Sequence, residues 1–190
     1  MYPKSSRIAH LLTIGCLLPS QLYAEEQRWP LDGHRALILA DRSGTELEIG
    51  SVTFTTQPTG ANYSLEIDHH KFQDYFLSMK EMKCLEGPEL WCHLPYPYEN
   101  PRVVTEESTD WLSHDLLFMF KKPDEFGANF WNGIYYKIWI ENDELVGLAQ
   151  AVDLNLLASP PGDLSTPPIG IYDREDIDPN QRWLPKLIIR

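Results

Sequence analysis

Ile134-Tyr135-Tyr136-Lys137-Ile138-Trp139-Ile140, followed after Glu141-Asn142-Asp143 by Glu144-Leu145-Val146-Gly147-Leu148, decides the fold class. Ile134, Tyr136, Ile138 and Ile140 recur at every second position, the repeat of a strand with one face on a core. The short polar break before the next apolar run reads as a hairpin turn. Asn62-Tyr63-Ser64-Leu65-Glu66-Ile67-Asp68 repeats the pattern, with Tyr63, Leu65 and Ile67 on one side. Residues 34–40 and 45–56 flank Asp41-Arg42-Ser43-Gly44, whose small and polar residues suit a tight turn with Gly44 at positive φ. In the return strand the apolar phase changes from Leu47 and Ile49 to Val52 and Phe54 across Gly50-Ser51. One extra residue there keeps both pairs on the core, so a β-bulge is predicted at Gly50.

Further strands are expected near residues 75–84, 116–121 and 186–190, the last apolar enough to pair against an existing edge. Helix is confined to short stretches at 109–117 and 152–158, the second stopped by Pro160-Pro161. Strands joined by turns without intervening helices predict a mainly β fold with an antiparallel sheet. Consecutive hairpins favour pairing in order, which makes a small lipocalin-like up-and-down barrel the expected closure. Residues 159–185 carry six prolines and exceed an ordinary connection. They are expected to form a long C-terminal loop strapped over the barrel, burying Ile169, Ile171, Tyr172 and Trp183.

Residues 1–24 have Lys4 and Arg7 ahead of an apolar run, then Pro19-Ser20 and Ala24, the layout of a cleavable signal peptide. Residues 25–190 are then a single mainly β domain, and no later stretch is long enough for a membrane span. Thr13-Ile14-Gly15-Cys16 offers a competing reading, a lipoprotein box with Cys16 as the acylated residue. Loss of Lys4 and Arg7 takes the formal charge from -12 to about −14, which argues against a nucleic-acid partner. Cys84 and Cys92 remain as a pair and are expected to form a disulfide, which stabilises by about 2.6 kcal/mol in the chain-entropy model.

The chemistry-bearing patterns are sparse. His69 and His70, with His93 and His114, are the weak metal-ligand candidates, but adjacent strand residues point to opposite faces and cannot share an ion. Asp173, Glu175, Asp176 and Asp178 resemble a calcium loop in ligand type, yet an EF-hand register puts Gln181 and Leu187 where Gly and Glu belong. Ser113-His114-Asp115 sets three triad residue types in a row, where neighbours do not face one another. No nucleophile elbow or phosphate loop is present, so no catalytic residue and no cofactor is assigned. The densest aromatic content lies at residues 84–98 and 126–133, which makes Trp91, Tyr96, Tyr98 and Trp131 the candidate ligand-binding residues.

The run KCLEGPELWCHLPYPYE at 83–99, Asp115-Leu116-Leu117-Phe118, Phe130-Trp131-Asn132-Gly133-Ile134-Tyr135-Tyr136 and Trp183-Leu184-Pro185 resembles a family of exported proteobacterial proteins. The resemblance spans residues 80–190 and departs from the family's pattern by one residue between Pro88 and Trp91. It implies a bacterial envelope location and no particular chemistry. The expected role is an exported periplasmic binding or accessory module whose partner is a small molecule or an envelope protein. The competing classes are an envelope hydrolase or metal-dependent enzyme built on the histidines, and a lipidated structural protein of the envelope.

Overall fold

The computed structural model describes residues 29–78 and 81–190, so the signal-peptide and Cys16 readings fall outside the described residues. Strands β1 (Gly33–Ala40), β2 (Glu46–Gln57) and β3 (Gly60–Ile67) form one antiparallel meander. β4 (Gln73–Phe76), β5 (Glu81–Leu85) and β6 (Leu90–His93) follow, then the two-residue β7 (Val103–Val104) and the helix α1 (Asp110–Asp115). β8 (Phe118–Lys121), β9 (Gly133–Glu141), β10 (Glu144–Val152), β11 (Arg174–Asp176) and β12 (Lys186–Ile189) complete one antiparallel sheet. Its order is β4-β5-β6-β8-β9-β10-β12-β1-β2-β3-β7, with β11 beside the far end of β10.

The sheet is open, which corrects the expected lipocalin-like barrel. β4 and β7 lie at its two ends, and β3 passes to β4 through a 3-10 turn at His69–Lys71 instead of a hairpin. A closed barrel needs every strand paired on both sides, and the chain leaves the ladder at this seam. β12 is also more central than expected, since it pairs with both β10 and β1 and so joins the two meanders. Leu187, Ile188 and Ile189 are all buried, the mark of a strand covered on both faces. The C-terminal strap, residues 159–185, crosses no barrel mouth. It lays β11 along β10 and buries Ile169, but leaves Ile171 69% and Tyr172 100% exposed.

The local predictions hold where one face meets the core. Leu37 pairs with Gly50 and Ile38 with Glu48, so Ile49 is the extra residue of a bulge. Leu47, Ile49, Val52 and Phe54 all pack on the main core as a result. A Cβ on Gly50 would lie 2.1 Å from the backbone oxygen of Glu66, so the close approach of β3 demands glycine. Gly44 takes φ 83°, and Asn142 and Asp143 take 51° and 62°, the left-handed pair of a two-residue hairpin turn.

Around β5, β6, β8 and β9 the sheet is buried on both faces. Leu85, Trp91, Phe118, Ile134 and Tyr136 point into the main core. The alternating residues Cys84, Cys92, Met119 and Tyr135 enter a second apolar layer with Leu117, Leu154 and Ile169. Cys84 and Cys92 face each other across β5 and β6 and form the disulfide in that layer. Among the described residues no helix is long and apolar enough to cross a membrane.

Candidate functional site

The two aromatic-rich segments converge, through side chains other than those singled out. After β6 the chain continues as Leu94-Pro95-Tyr96-Pro97, and before β9 it passes through Phe130. Leu94, Pro95 and Pro97 form one wall of an apolar cleft of about 330 Å³, and Phe130 forms another. Leu117 and Leu154 also line it, with Asn155, Leu157 and Ala158 from the 3-10 turn Leu154–Leu157. Asn155 is the one polar lining residue, and its amide nitrogen is turned onto Asp153 Oδ1 at 2.7 Å.

Hydrogen bonds fix these walls to one another. Leu94 N–H donates to Leu117 O (2.9 Å), and Leu154 N–H donates to Phe130 O (2.9 Å). The Tyr98 hydroxyl donates to Leu157 O at 2.8 Å, which joins the proline-rich wall to the turn. Behind Phe130, the buried Lys121 ammonium donates to the carbonyls of Glu125 and Gly127 and holds that loop. The cleft is therefore preformed, which limits the ordering cost of filling it.

The four aromatic candidates do not form a common surface. Trp91 is 0% exposed in the main core, where its Nε1–H donates to Tyr136 Oη at 3.2 Å. Tyr96 is buried against Tyr98, Trp111 and His114, and burial pushes its hydroxyl pKa up. Tyr98 is half-buried and acts as a tie in the cleft wall. Trp131 is 71% exposed, follows Phe130 in the chain and does not line the cleft. Nothing in the sequence marks Phe130 above Trp131, because the apolar layer on which Phe130 packs includes Leu154 from another element.

The histidines are likewise dispersed in role. His69 and His70 lie on the exposed 3-10 turn and not in a strand, with Asp68 accepting from His70 N–H at 3.1 Å. His93 is buried and its Nε2–H donates to Asp115 O at 2.9 Å, while burial lowers its pKa. His114 is 0% exposed and spends both ring nitrogens on backbone: Nδ1–H donates to Asp110 O (2.7 Å) and Nε2 accepts from Ile169 N–H (3.2 Å). It has no lone pair left for an ion. Among the described residues no three His, Cys, Asp or Glu side chains converge to hold a metal.

A polar network surrounds α1. The Asp115 carboxylate accepts from the Tyr63 hydroxyl at 2.9 Å and lies 3.7 Å from Arg102 Nε, while Asn100 Nδ2 donates to Tyr63 Oη at 3.2 Å. Burial raises the Tyr63 pKa well beyond its usual range and keeps it protonated. On the opposite side Asp110 accepts from the Tyr135 hydroxyl, and Arg174 stacks on that ring at 4.2 Å. Ser113 Oγ donates to Thr109 O, so Ser113, His114 and Asp115 address three different partners and relay no proton. Three of the four acids of the calcium-like loop are hydrogen-bonded, Asp173 by Gly170 N–H, Asp176 by Gln150 Nε2 and Asp178 by Asn180 N–H.

A larger depression, about 650 Å³, opens on the sheet's outer face beside Lys137, Trp139, Leu148 and Asp176. Trp139 Nε1–H pairs with Glu141 and Gln150 Nε2 with Asp176 Oδ1, and its walls come from strand face and the chain at 176–185. The smaller cleft is the better candidate because four separate chain segments build it from carbon and lock it together. No protein-family model matches the chain, and no curated protein or solved structure is significantly similar to it.

Proposed function

We propose that the chain is an exported binding module that takes an apolar ligand in the cleft between residues 94–97, Phe130 and the 154–158 turn. The observation that carries this reading is a preformed hollow of about 330 Å³ lined almost wholly by carbon. That size suits one aromatic ring or a short stretch of acyl chain, at the small end of ligand sites. No Lys, Arg or His lines it and the chain carries a formal charge of -12, so the favoured ligand is neutral where it enters the cleft. Trp131 and Leu156, which follow the lining residues Phe130 and Asn155 in the chain, are exposed large apolar side chains, which also suits an apolar side chain presented by an envelope protein. Export to the periplasm rests on the layout of residues 1–24 and agrees with the Cys84–Cys92 disulfide, which persists only in an oxidising compartment.

Titration of the mature chain with a neutral, polarity-sensitive naphthalene dye tests the reading. Saturable blue-shifted emission is expected, with affinity reduced about tenfold or more in Phe130→Asp, since a carboxylate in an apolar cleft stays unpaired. Equal dye binding by wild type and Phe130→Asp removes the cleft as the site.

A further inference from the structure

Along the chain the strap first returns to the buried interior at Ile169 and does so again at Leu184. Residues 159–166 are exposed except for a half-buried Pro161, and Ile169 is the first residue of the strap that is fully packed, at 1% exposure. Its N–H donates to His114 Nε2 at 3.2 Å. Its side chain lies in the second apolar layer with Leu117 and Leu154, two residues that line the cleft, and Leu94, Phe130 and Leu157 pack on the same cluster. The strap thus braces the cleft from behind, and a histidine acceptor holds it there.

From this geometry we infer that His114 is an acid-sensitive latch that seats the strap, through Ile169, against the back of the cleft. With Nδ1–H committed to Asp110 O, the neutral ring has a single tautomer whose Nε2 lone pair meets the Ile169 N–H. A proton added to the ring goes to Nε2, two donors then face each other, and the bond is lost. The resulting cation has no exposed surface through which to be hydrated. Asp110 and Asp115 on its own helix favour that cation, and Arg174 from β11 opposes it. Asp110 is already engaged by the Tyr135 hydroxyl and by Arg174 at 3.8 Å. The rings of Tyr96, Trp111 and Tyr135 enclose the imidazole at 5.5 to 5.9 Å and present no carboxylate. Burial outweighs the aspartates and holds the ring neutral, below the ordinary histidine value.

The sign follows from linkage. The latched form binds fewer protons than the released form, so release gains about tenfold per pH unit below the ordinary histidine value of 6.5, down to the lowered value. The effect on ligand rests on the cleft being the binding site; the latch itself needs no ligand. The test is amide exchange at Ile169 in the full chain between pH 7.5 and 4.5, corrected for intrinsic exchange. Protection should fall about tenfold per unit below pH 6.5 and stay flat in His114→Gln, whose carbonyl reaches the same N–H and takes no proton. Identical profiles in the two proteins overturn the latch. Should His114→Gln not fold, nitrogen-15 shifts of the wild-type imidazole decide instead: a neutral Nδ1–H ring titrating together with the Ile169 amide supports it, and an Nε2–H ring refutes it. Dye that never binds while Ile169 still titrates supports the latch and overturns only the cleft reading. Dye binding that ignores pH while Ile169 titrates breaks the coupling between the two.

Discussion

The β1–β3 meander and the β5-β6-β8-β9 half of the sheet are built from the same antiparallel ladder but are buried differently. In β2 and β3 apolar residues alternate with exposed polar ones, as Tyr63, Leu65 and Ile67 do against Asn62, Ser64 and Glu66. In β6 all four residues of Leu90–His93 are buried, and β9 begins with four buried residues before returning to alternation. The difference is a second layer. The 154–157 turn and Ile169 cover the outer face around β5, β6, β8 and β9, and the disulfide and the apolar cleft lie there. A single-layer sheet supplies scaffold, whereas the seam between a sheet and a partial second layer leaves room for a hollow.

The largest expected effect separates the two tryptophans. Trp91→Ala empties a fully buried site and takes away the indole donor to the Tyr136 hydroxyl, which keeps its own bond to Leu184 O, so it should cost about 3–5 kcal/mol in urea unfolding. Trp131→Ala removes a ring that is 71% exposed and should change stability by no more than about 0.5 kcal/mol. Equal losses at both positions break the two-layer description.

Next in size is the disulfide. β5 and β6 share only two register pairs, Cys84 with Cys92 and Leu85 with Trp91, so the bond staples the β4–β5 hairpin to the sheet. Changing both cysteines to serine should cost about 2–4 kcal/mol, with amide protection lost first in β4 and β5 while the β1–β3 meander keeps its own. Uniform loss across the sheet contradicts a local staple.

Acid should act on the same half by a smaller amount. Burial holds the pKa of His93 and His114 below 6.5 in the folded chain, so the unfolded chain binds the extra protons. Their contribution is complete above pH 6.5 and is lost as pH falls below it, at up to about 1.4 kcal/mol per pH unit per histidine. The urea midpoint followed from pH 8 to 5 checks this, and a midpoint that rises on acidification has the wrong sign.

What the sequence made legible follows the same division. The strand repeat at Ile134, Tyr136 and Ile138, the Gly50 bulge, the Gly44 turn and the cysteine pair are local patterns, and the structure contains each of them. Strand alternation assumes one covered face and would turn Tyr135 of β9 to solvent; Leu154 and Ile169, far along the chain, cover that face. Openness of the sheet escaped the sequence for a similar reason, since closure depends on whether β3 and β4 meet across the His69–Lys71 turn. In the proposed cleft, aromatic composition points to two of the segments that build the walls and not to the side chains that line them. The larger rings, Trp91 and Trp131, are not among the lining residues, whereas Leu94, Pro95, Pro97 and Phe130 are.

The most direct test is to follow backbone amide shifts of the full chain as the neutral naphthalene dye is added. The account predicts changes concentrated at Leu94, at Phe130 and across residues 154–158, with the β1–β3 meander unmoved. Changes centred on Lys137, Trp139 and Leu148 of the outer face, or none at saturating dye, contradict it.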